Sequence, residues 1–188
     1  MTDRRNTLLD SIRISGILML ICALIAGVVA LVNQLTYEKI AVNLEAEKRQ
    51  AIISIFGSDS VTYEEMTDFP ESVEMVYTVT DGGQTLGYCV NLNSAGFGGD
   101  INLMVGVGTD GKIIGVTIVS LSETPGLGTK VNNADYLSQY IGKGIDLKRG
   151  TDIDTISGAT VSSKAVLAGV NEATAALLKM NLIGGGEA

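Results

Sequence analysis

The sequence predicts an α+β protein: a single N-terminal transmembrane helix, then a domain with a curved antiparallel sheet and flanking helices. One observation is an uncharged apolar run at residues 14–32. Another is two strand–turn–strand patterns between residues 73 and 121, rich in β-branched residues. A long helical pattern follows from Val161 to Met180. Consecutive strands followed by a helix are typical of α+β domains.

The composition excludes several classes of protein. The 188 residues include 13 basic and 21 acidic ones, a net charge of −8 at pH 7, with two cysteines and no histidine. An acidic surface disfavours nucleic acid, so we expect no such partner. The absence of histidine excludes His-based catalytic triads and leaves few ligands for a His/Cys metal site, so we also expect no metal.

The apolar run predicts a membrane anchor over residues 14–33. Its nineteen uncharged residues, at 1.5 Å each, span about 28 Å, close to the thickness of the hydrocarbon layer. Three arginines precede it: Arg4, Arg5 and Arg13. The positive-inside rule then places residues 1–13 in the cytoplasm and the rest beyond a single-pass cytoplasmic membrane. A cleaved signal peptide is the alternative, but the run is long and no A-x-A site closes it.

After the anchor, residues 34–57 predict an amphipathic helical stalk that ends at Gly57. The extracytoplasmic domain then covers residues 58–182, and residues 183–188 form a flexible tail. Within the domain, residues 58–72 are polar and predict a loop or a short irregular helix.

The sheet is predicted from two hairpins. Residues 73–80 and 85–92 flank an Asp-Gly-Gly turn, and residues 101–121 form a second hairpin with Asp110-Gly111 at its turn. Residues 134–142 fit a short helix, and the segment to Gly150 fits a strand or a loop.

The stretch DTISGATVSSK at 154–164 precedes the last helix and allows two interpretations. Small residues let the backbone approach a bulky group, and a helix N-terminus favours an anion, so the stretch can hold a phosphate. Thr160, Ser162 and Ser163 can add hydroxyl donors there. Serine and threonine are also the preferred N-caps, so the hydroxyls can equally serve only to cap the helix.

A second motif is ETPGLG at 123–128. Pro125 fixes φ, while Gly126 and Gly128 allow a tight exposed turn with bare N–H groups. Such a loop can lie flat against a planar ring with Leu127 as the apolar contact. An ordinary turn between a strand and a helix is the alternative.

The ordered set of motifs resembles the FMN-binding domain of membrane redox pumps. The set is an anchor, a stalk, GFGGDINLMVGV (96–107), DGKIIGV, ETPGLG and, about thirty residues later, D-x-x-SGAT. The families concerned are the G subunit of the Rnf complex and the C subunit of the sodium-translocating NADH:quinone reductase. The compact length is more like the Rnf member of this pair.

The resemblance implies that FMN is bound covalently, through a phosphoester to the hydroxyl of Thr160. A flavin transferase performs the attachment, and its recognition pattern D-x-x-[ST]-G-A-[TS] matches residues 154–160. We further infer that Leu127 contacts the ring and that Lys130 favours an anionic reduced flavin. The expected cofactor-binding residues are Asp154, Ser157, Gly158, Ala159 and Thr160, with Glu123, Thr124, Pro125, Gly126, Leu127, Gly128 and Lys130.

The resemblance therefore implies an electron-transfer subunit rather than a stand-alone enzyme. It works among other subunits of a ferredoxin:NAD⁺ oxidoreductase that translocates Na⁺ or H⁺. The uncharged membrane span offers no ion path, so pumping belongs to those other subunits. Three alternatives remain open: the equivalent quinone-reductase subunit, a membrane-tethered module without redox function, and a single-protein extracellular flavin reductase.

Overall fold

A computed structural model describes the backbone of residues 2–184 and the side chains of residues 13–34, 36 and 46–184. The chain divides into two compact units, one up to Ala46 and one from Glu47 onward. Outside the described residues lie the side chains of Arg4 and Arg5 and those of the apolar stalk positions Leu35, Ile40 and Leu44. Residues 185–188 of the predicted tail 183–188 also lie outside them.

Helix α1 covers Thr2–Phe56 and accounts for the first unit. Its segment Arg13–Gln34 has 22 residues and a mean hydropathy of 2.8, long and apolar enough to cross a membrane. Every side chain of this segment is exposed within the structure. A helix that is apolar all round requires an apolar environment, so the chain associates with a membrane through this segment.

The second unit is built on a five-stranded antiparallel sheet in which each strand pairs with its neighbours in sequence. The strands are β1 (Thr62–Glu65), β2 (Met75–Asp81), β3 (Gln84–Ala95), β4 (Asp100–Gly108) and β5 (Ile113–Leu121). The two predicted hairpins are therefore confirmed. Gly111, with φ of 79°, adopts the left-handed conformation that the turn between β4 and β5 requires.

Strand β1 corrects the prediction of a loop or irregular helix at residues 58–72. Four residue pairs join it to β2, from Thr62 opposite Thr80 to Glu65 opposite Tyr77. Its side chains are exposed except for the half-buried Tyr63, so the apolar alternation that would reveal a strand is missing.

Two helices cover opposite faces of the sheet. Helix α3 (Thr160–Lys179) packs on one face, and Gly169 lies so close to β3 and β4 that an added Cβ would come within 2.6 Å of the Leu103 side chain. On the other face, Ile52 and Ile55 from the end of α1 join a buried cluster with Tyr77 and other residues of the sheet. The domain core is thus three layers deep over the middle strands.

The remaining elements are short. Helix α2 covers Ala134–Ser138, a shorter helix than the predicted 134–142, and a 3₁₀ helix covers Gly128–Val131. Gly57, with φ of 70°, follows the end of α1 as predicted. Ile183, assigned to the tail from the sequence, is buried in the main core, so the packed domain extends beyond residue 182.

Strand register brings distant segments together at one end of the sheet. Ala95 pairs with Asp100, so residues 96–99 form the turn between β3 and β4. Leu121 pairs with Ile101, which places the end of β5 beside that turn. The Ser94 hydroxyl donates to the carbonyl of Ala165 in α3 at 2.7 Å, so the start of α3 lies at the same end.

Candidate functional site

The two sequence motifs meet at one cavity of about 310 Å³. It lies between the 96–99 turn, the loop after β5 and the first turn of α3. Its lining comprises Phe97, Glu123, Thr124, Leu127, Gly128, Gly158, Ala159, Thr160, Val161 and Ser162.

Glu123 joins the three segments. One carboxylate oxygen accepts the Phe97 N–H at 2.7 Å and the Ser162 hydroxyl at 2.9 Å, and the other accepts the Gly98 N–H at 3.0 Å. Burial of the carboxyl raises its pKa, but these bonds and one from the Thr124 N–H outweigh burial and hold the pKa below its usual value. Glu123 is therefore an ionised, buried carboxylate at neutral pH.

Three glycines make room for this carboxylate. A Cβ added at Gly96 or Gly128 would collide with its oxygens, and one at Gly98 would come within 3.3 Å of it. The backbone thus encloses Glu123 closely, which explains why the ETPGLG motif requires a small residue at Gly128.

The hydroxyls in the first turn of α3 do not cap the helix. The N-cap residue is Ala159, with no side-chain capping bond, and Ser163 N–H makes the first helical bond to the Ala159 carbonyl at 2.9 Å. Ser162 is bonded to Glu123, and the Ser163 hydroxyl accepts the Ile156 N–H at 3.2 Å. Neither serine bonds an N–H group of the first helical turn, and the N-cap Ala159 has no capping side chain, so the interpretation of the whole cluster as a cap is wrong.

Thr160 differs from those two serines because its side chain is exposed. It is the first residue of α3 and lines the cavity. The N–H groups of residues 160–162 precede the first intrahelical bond, and they give this end of the helix a partial positive charge. The exposed hydroxyl therefore lies where an anion is stabilised.

Apolar side chains surround the cavity. Phe97 is 76% exposed, Leu127 52% and Val161 48%. Three large apolar residues exposed around one opening indicate a site for an apolar group. Phe97 and Val161 were not predicted from the sequence as site residues; the aromatic residue within GFGGD was the available signal for the first. Ser162 was expected as a hydroxyl donor to a phosphate, but its hydroxyl donates to Glu123.

The predicted site residues do not all lie in this cavity. Of the twelve, Glu123, Thr124, Leu127, Gly128, Gly158, Ala159 and Thr160 line it, whereas Pro125, Gly126 and Ser157 do not. Lys130 and Asp154 line a neighbouring cavity of about 340 Å³. Lys130 remains close to the motif, because its Nζ would lie 3.9 Å from a Cβ added at Gly158.

The ETPGLG loop has fewer bare N–H groups than predicted. The Gly126 N–H donates to the Thr129 hydroxyl at 2.9 Å, and the Leu127 N–H donates to the Thr124 carbonyl at 3.2 Å. The loop is folded by its own hydrogen bonds, and the Leu127 side chain is exposed upon it.

Two family models match separate parts of the chain. Residues 96–175 match the family model of the FMN-binding domain, and residues 1–55 match that of the RnfG N-terminal region. The fold resembles the crystal structure of Shewanella oneidensis NqrC, with a TM-score of 0.51 and 23% identity over 63% of this chain and 68% of that one. That likeness supports the fold.

Relatives of similar length resolve the choice between the two families that the sequence resembles. The G subunit of the Na⁺-translocating ferredoxin:NAD⁺ oxidoreductase complex of Acetobacterium woodii is 30% identical over 178 residues, 82% of this chain and 86% of that protein. Its counterpart in the proton-translocating ferredoxin:NAD⁺ oxidoreductase complex of Clostridium ljungdahlii is 41% identical over 104 residues, 52% of this chain and 56% of that protein. With its FMN-binding domain and RnfG N-terminal region, the chain belongs to the RnfG family, the G subunits of the ion-translocating oxidoreductase (Rnf) complexes.

Proposed function

We propose that this protein is an electron-transfer subunit of a membrane-bound, ion-translocating ferredoxin:NAD⁺ oxidoreductase, with FMN attached through a phosphoester to Thr160. The observation that carries the proposal is the exposed Thr160 hydroxyl at the start of α3, on the wall of a cavity with an apolar rim. Family membership supports FMN as the group and a multi-subunit complex as the setting.

The residues present fit such a group. A phosphodiester on Thr160 keeps one negative charge, which the N-terminal end of α3 stabilises. Gly158, with φ of 81°, and Ala159 precede the attachment residue and leave its surroundings open. Phe97 and Leu127 provide the apolar surface that a flat ring system requires.

Attachment is a phosphoryl transfer from an activated flavin nucleotide to this chain. The Thr160 Oγ loses its proton and forms the new bond to the phosphorus of FMN. The bond between that phosphorus and the activating group of the donor breaks, and the activating group leaves. The net gain of the protein is one FMN less one water. The match of residues 154–160 to D-x-x-[ST]-G-A-[TS] supports a flavin transferase as the catalyst.

Bound FMN supplies one-electron and two-electron transfer, and the residues of this chain hold it in place. Leu127 would contact the ring from the loop after β5, and Lys130, whose Nζ would lie 3.9 Å from a Cβ added at Gly158, would contribute a positive charge that favours the anionic reduced form. Covalent attachment makes occupancy independent of the free FMN concentration, an advantage in a dilute compartment.

The proposed topology is one membrane span with the N-terminus in the cytoplasm and the FMN domain outside. Arg13 at the start of the apolar segment and neutral Gln34 at its end support this orientation. The segment between them carries no charge, so other subunits of the complex provide the ion path.

The test is to co-express the full chain with its flavin transferase and examine it, denatured, by in-gel fluorescence and intact mass. We expect a fluorescent band heavier by one FMN less one water. Thr160→Ser retains labelling because it keeps the hydroxyl, whereas Thr160→Ala loses it. Thr155→Ala, in the same motif at a position that the pattern leaves open, is the matched control and stays labelled.

A dark wild-type band at the unmodified mass would refute covalent attachment and favour a membrane-tethered module without a redox function. Labelling of Thr160→Ala equal to that of the wild type would move the attachment to another residue. Turnover of the isolated protein with soluble electron donors and acceptors would instead favour a self-sufficient extracellular flavin reductase.

A further inference from the structure

The Glu123 carboxylate is engaged by this chain, because both of its oxygens accept hydrogen bonds from neighbouring segments. One takes the Phe97 N–H and the Ser162 hydroxyl, and the other takes the Gly98 N–H. Glu123 is also buried, and three glycines pack against its side chain. Its oxygens are therefore committed to holding the 96–99 turn and the start of α3.

These contacts set the position of two groups that face the cavity. The turn carries Phe97, whose backbone N–H is bonded to Glu123 while its side chain is 76% exposed. Ser162 lies two residues after Thr160 on α3, within the same helical turn. One carboxylate thus fixes the spacing between an exposed aromatic side chain and the attachment hydroxyl.

We propose that Glu123 is the positioning residue of the site, and that Phe97, held by it, is the aromatic residue that covers the flavin ring tethered at Thr160. The inference rests on the proposed function, since it assigns residues to the same cofactor. It replaces the expectation that Glu123 contacts the flavin directly, and it adds Phe97, which the motifs did not indicate.

Glu123→Gln separates the roles of the two oxygens. A glutamine side chain has one acceptor oxygen where glutamate has two. When that oxygen accepts the Phe97 N–H and the Ser162 hydroxyl, the NH₂ group lies opposite the Gly98 N–H, and the hydrogen bond to Gly98 is lost. Ser162→Ala removes only the bond to α3 and leaves both bonds to the turn. Glu74→Gln is the matched control, because Glu74 is exposed and accepts the Asn102 side-chain amide at 3.2 Å, outside the cavity lining.

The first readout is hydrogen exchange at residues 96–100 of the full chain, in a flavin-free Thr160→Ala background. We expect exchange roughly tenfold faster in Glu123→Gln, since a hydrogen bond to a charged group contributes at least that factor. Exchange in this segment stays at the wild-type rate in Ser162→Ala and in Glu74→Gln. Wild-type exchange in Glu123→Gln would overturn the inference, because the carboxylate would not be holding the turn.

The second readout is quenching of the attached flavin by iodide in the labelled protein. Quenching increases in Glu123→Gln, because the turn that carries Phe97 loses one of its two bonds to residue 123, and it increases at least as much in Phe97→Ala. Phe97 is exposed, so this second variant tests the assignment even if Glu123→Gln folds poorly. Quenching that is unchanged in Phe97→Ala would overturn the inference. A dark wild-type protein would instead overturn the proposed function, before any of these variants is compared.

Discussion

The close packing of Gly128 against Glu123 predicts a specific energetic coupling. A Cβ at Gly128 would lie 2.6 Å from the Glu123 Cδ and 2.9 Å from its Cβ, whereas one at Gly126 would meet no atom within 4 Å. Gly128→Ala therefore overpacks a buried site and destabilises the domain by about 1–3 kcal/mol. Gly126→Ala is destabilising through its φ of 76°, with roughly 1–2 kcal/mol of backbone strain.

The two substitutions differ in their dependence on Glu123. Replacing Glu123 by Ala removes the carboxylate atoms that the new methyl group would meet at Gly128 and leaves only the Cβ of residue 123 in contact with it. The Gly128→Ala and Glu123→Ala effects are therefore non-additive, with a coupling of about 1 kcal/mol or more, whereas Gly126→Ala and Glu123→Ala add.

The measurement is urea unfolding of the full chain in mild detergent, followed by the near-ultraviolet circular dichroism of the tyrosines. Tyr77, Tyr136 and Tyr140 are buried in the domain, so their signal reports its packing. Additivity of both pairs to within about 0.5 kcal/mol would refute the packing argument, since that is the scatter expected for independent sites.

Three further outcomes follow from other parts of the domain. Ile52→Ala, at a fully buried position where α1 packs on the sheet, destabilises it by about 2–5 kcal/mol in the same urea assay. The pKa of the Glu123 carboxyl lies below its usual value of 4.5. The ionised carboxylate therefore contributes its full stabilisation above pH 4.5, and this stabilisation is lost as the pH falls through the lowered pKa. Glu123→Gln should flatten this part of a plot of unfolding free energy against pH. Burial raises the pKa of the Cys89 thiol to about 12. In a Cys22→Ser background, maleimide at pH 8 should therefore leave the native protein unmodified and label it after unfolding. Labelling of the native protein would contradict the burial of Cys89.

The sequence predicted the parts of the fold that local chemistry controls. The Asp110-Gly111 turn and the β-branched residues of β5 identified the second hairpin, because turn conformation and strand preference depend on nearby residues. Strand β1 was missed because it pairs with β2 through its backbone while its side chains, apart from the half-buried Tyr63, are exposed, so its sequence carries no apolar alternation.

The site was predictable only in part. The two motifs indicated which loops line the cavity, but not how their hydroxyls are divided between the interior and solvent. Ser162 and Ser163 are buried because they lie on the side of α3 that contacts Glu123 and Ile156, whereas Thr160 lies on the exposed side. Which side of the helix is buried depends on tertiary packing and cannot be read from the local sequence. Phe97 was missed because it lies 26 residues from Glu123, the residue that holds its backbone.

The strand order has a consequence for when the site forms during folding. Each strand pairs with the next along the chain, so the sheet assembles by short-range hairpin closure. The Glu123 contacts instead close loops of 26 and 39 residues, and the second requires α3, which follows every strand of the sheet. We therefore expect Thr160 to reach its final environment late, so that the proposed flavin attachment would act on a folded domain and would serve as a checkpoint on completed folding.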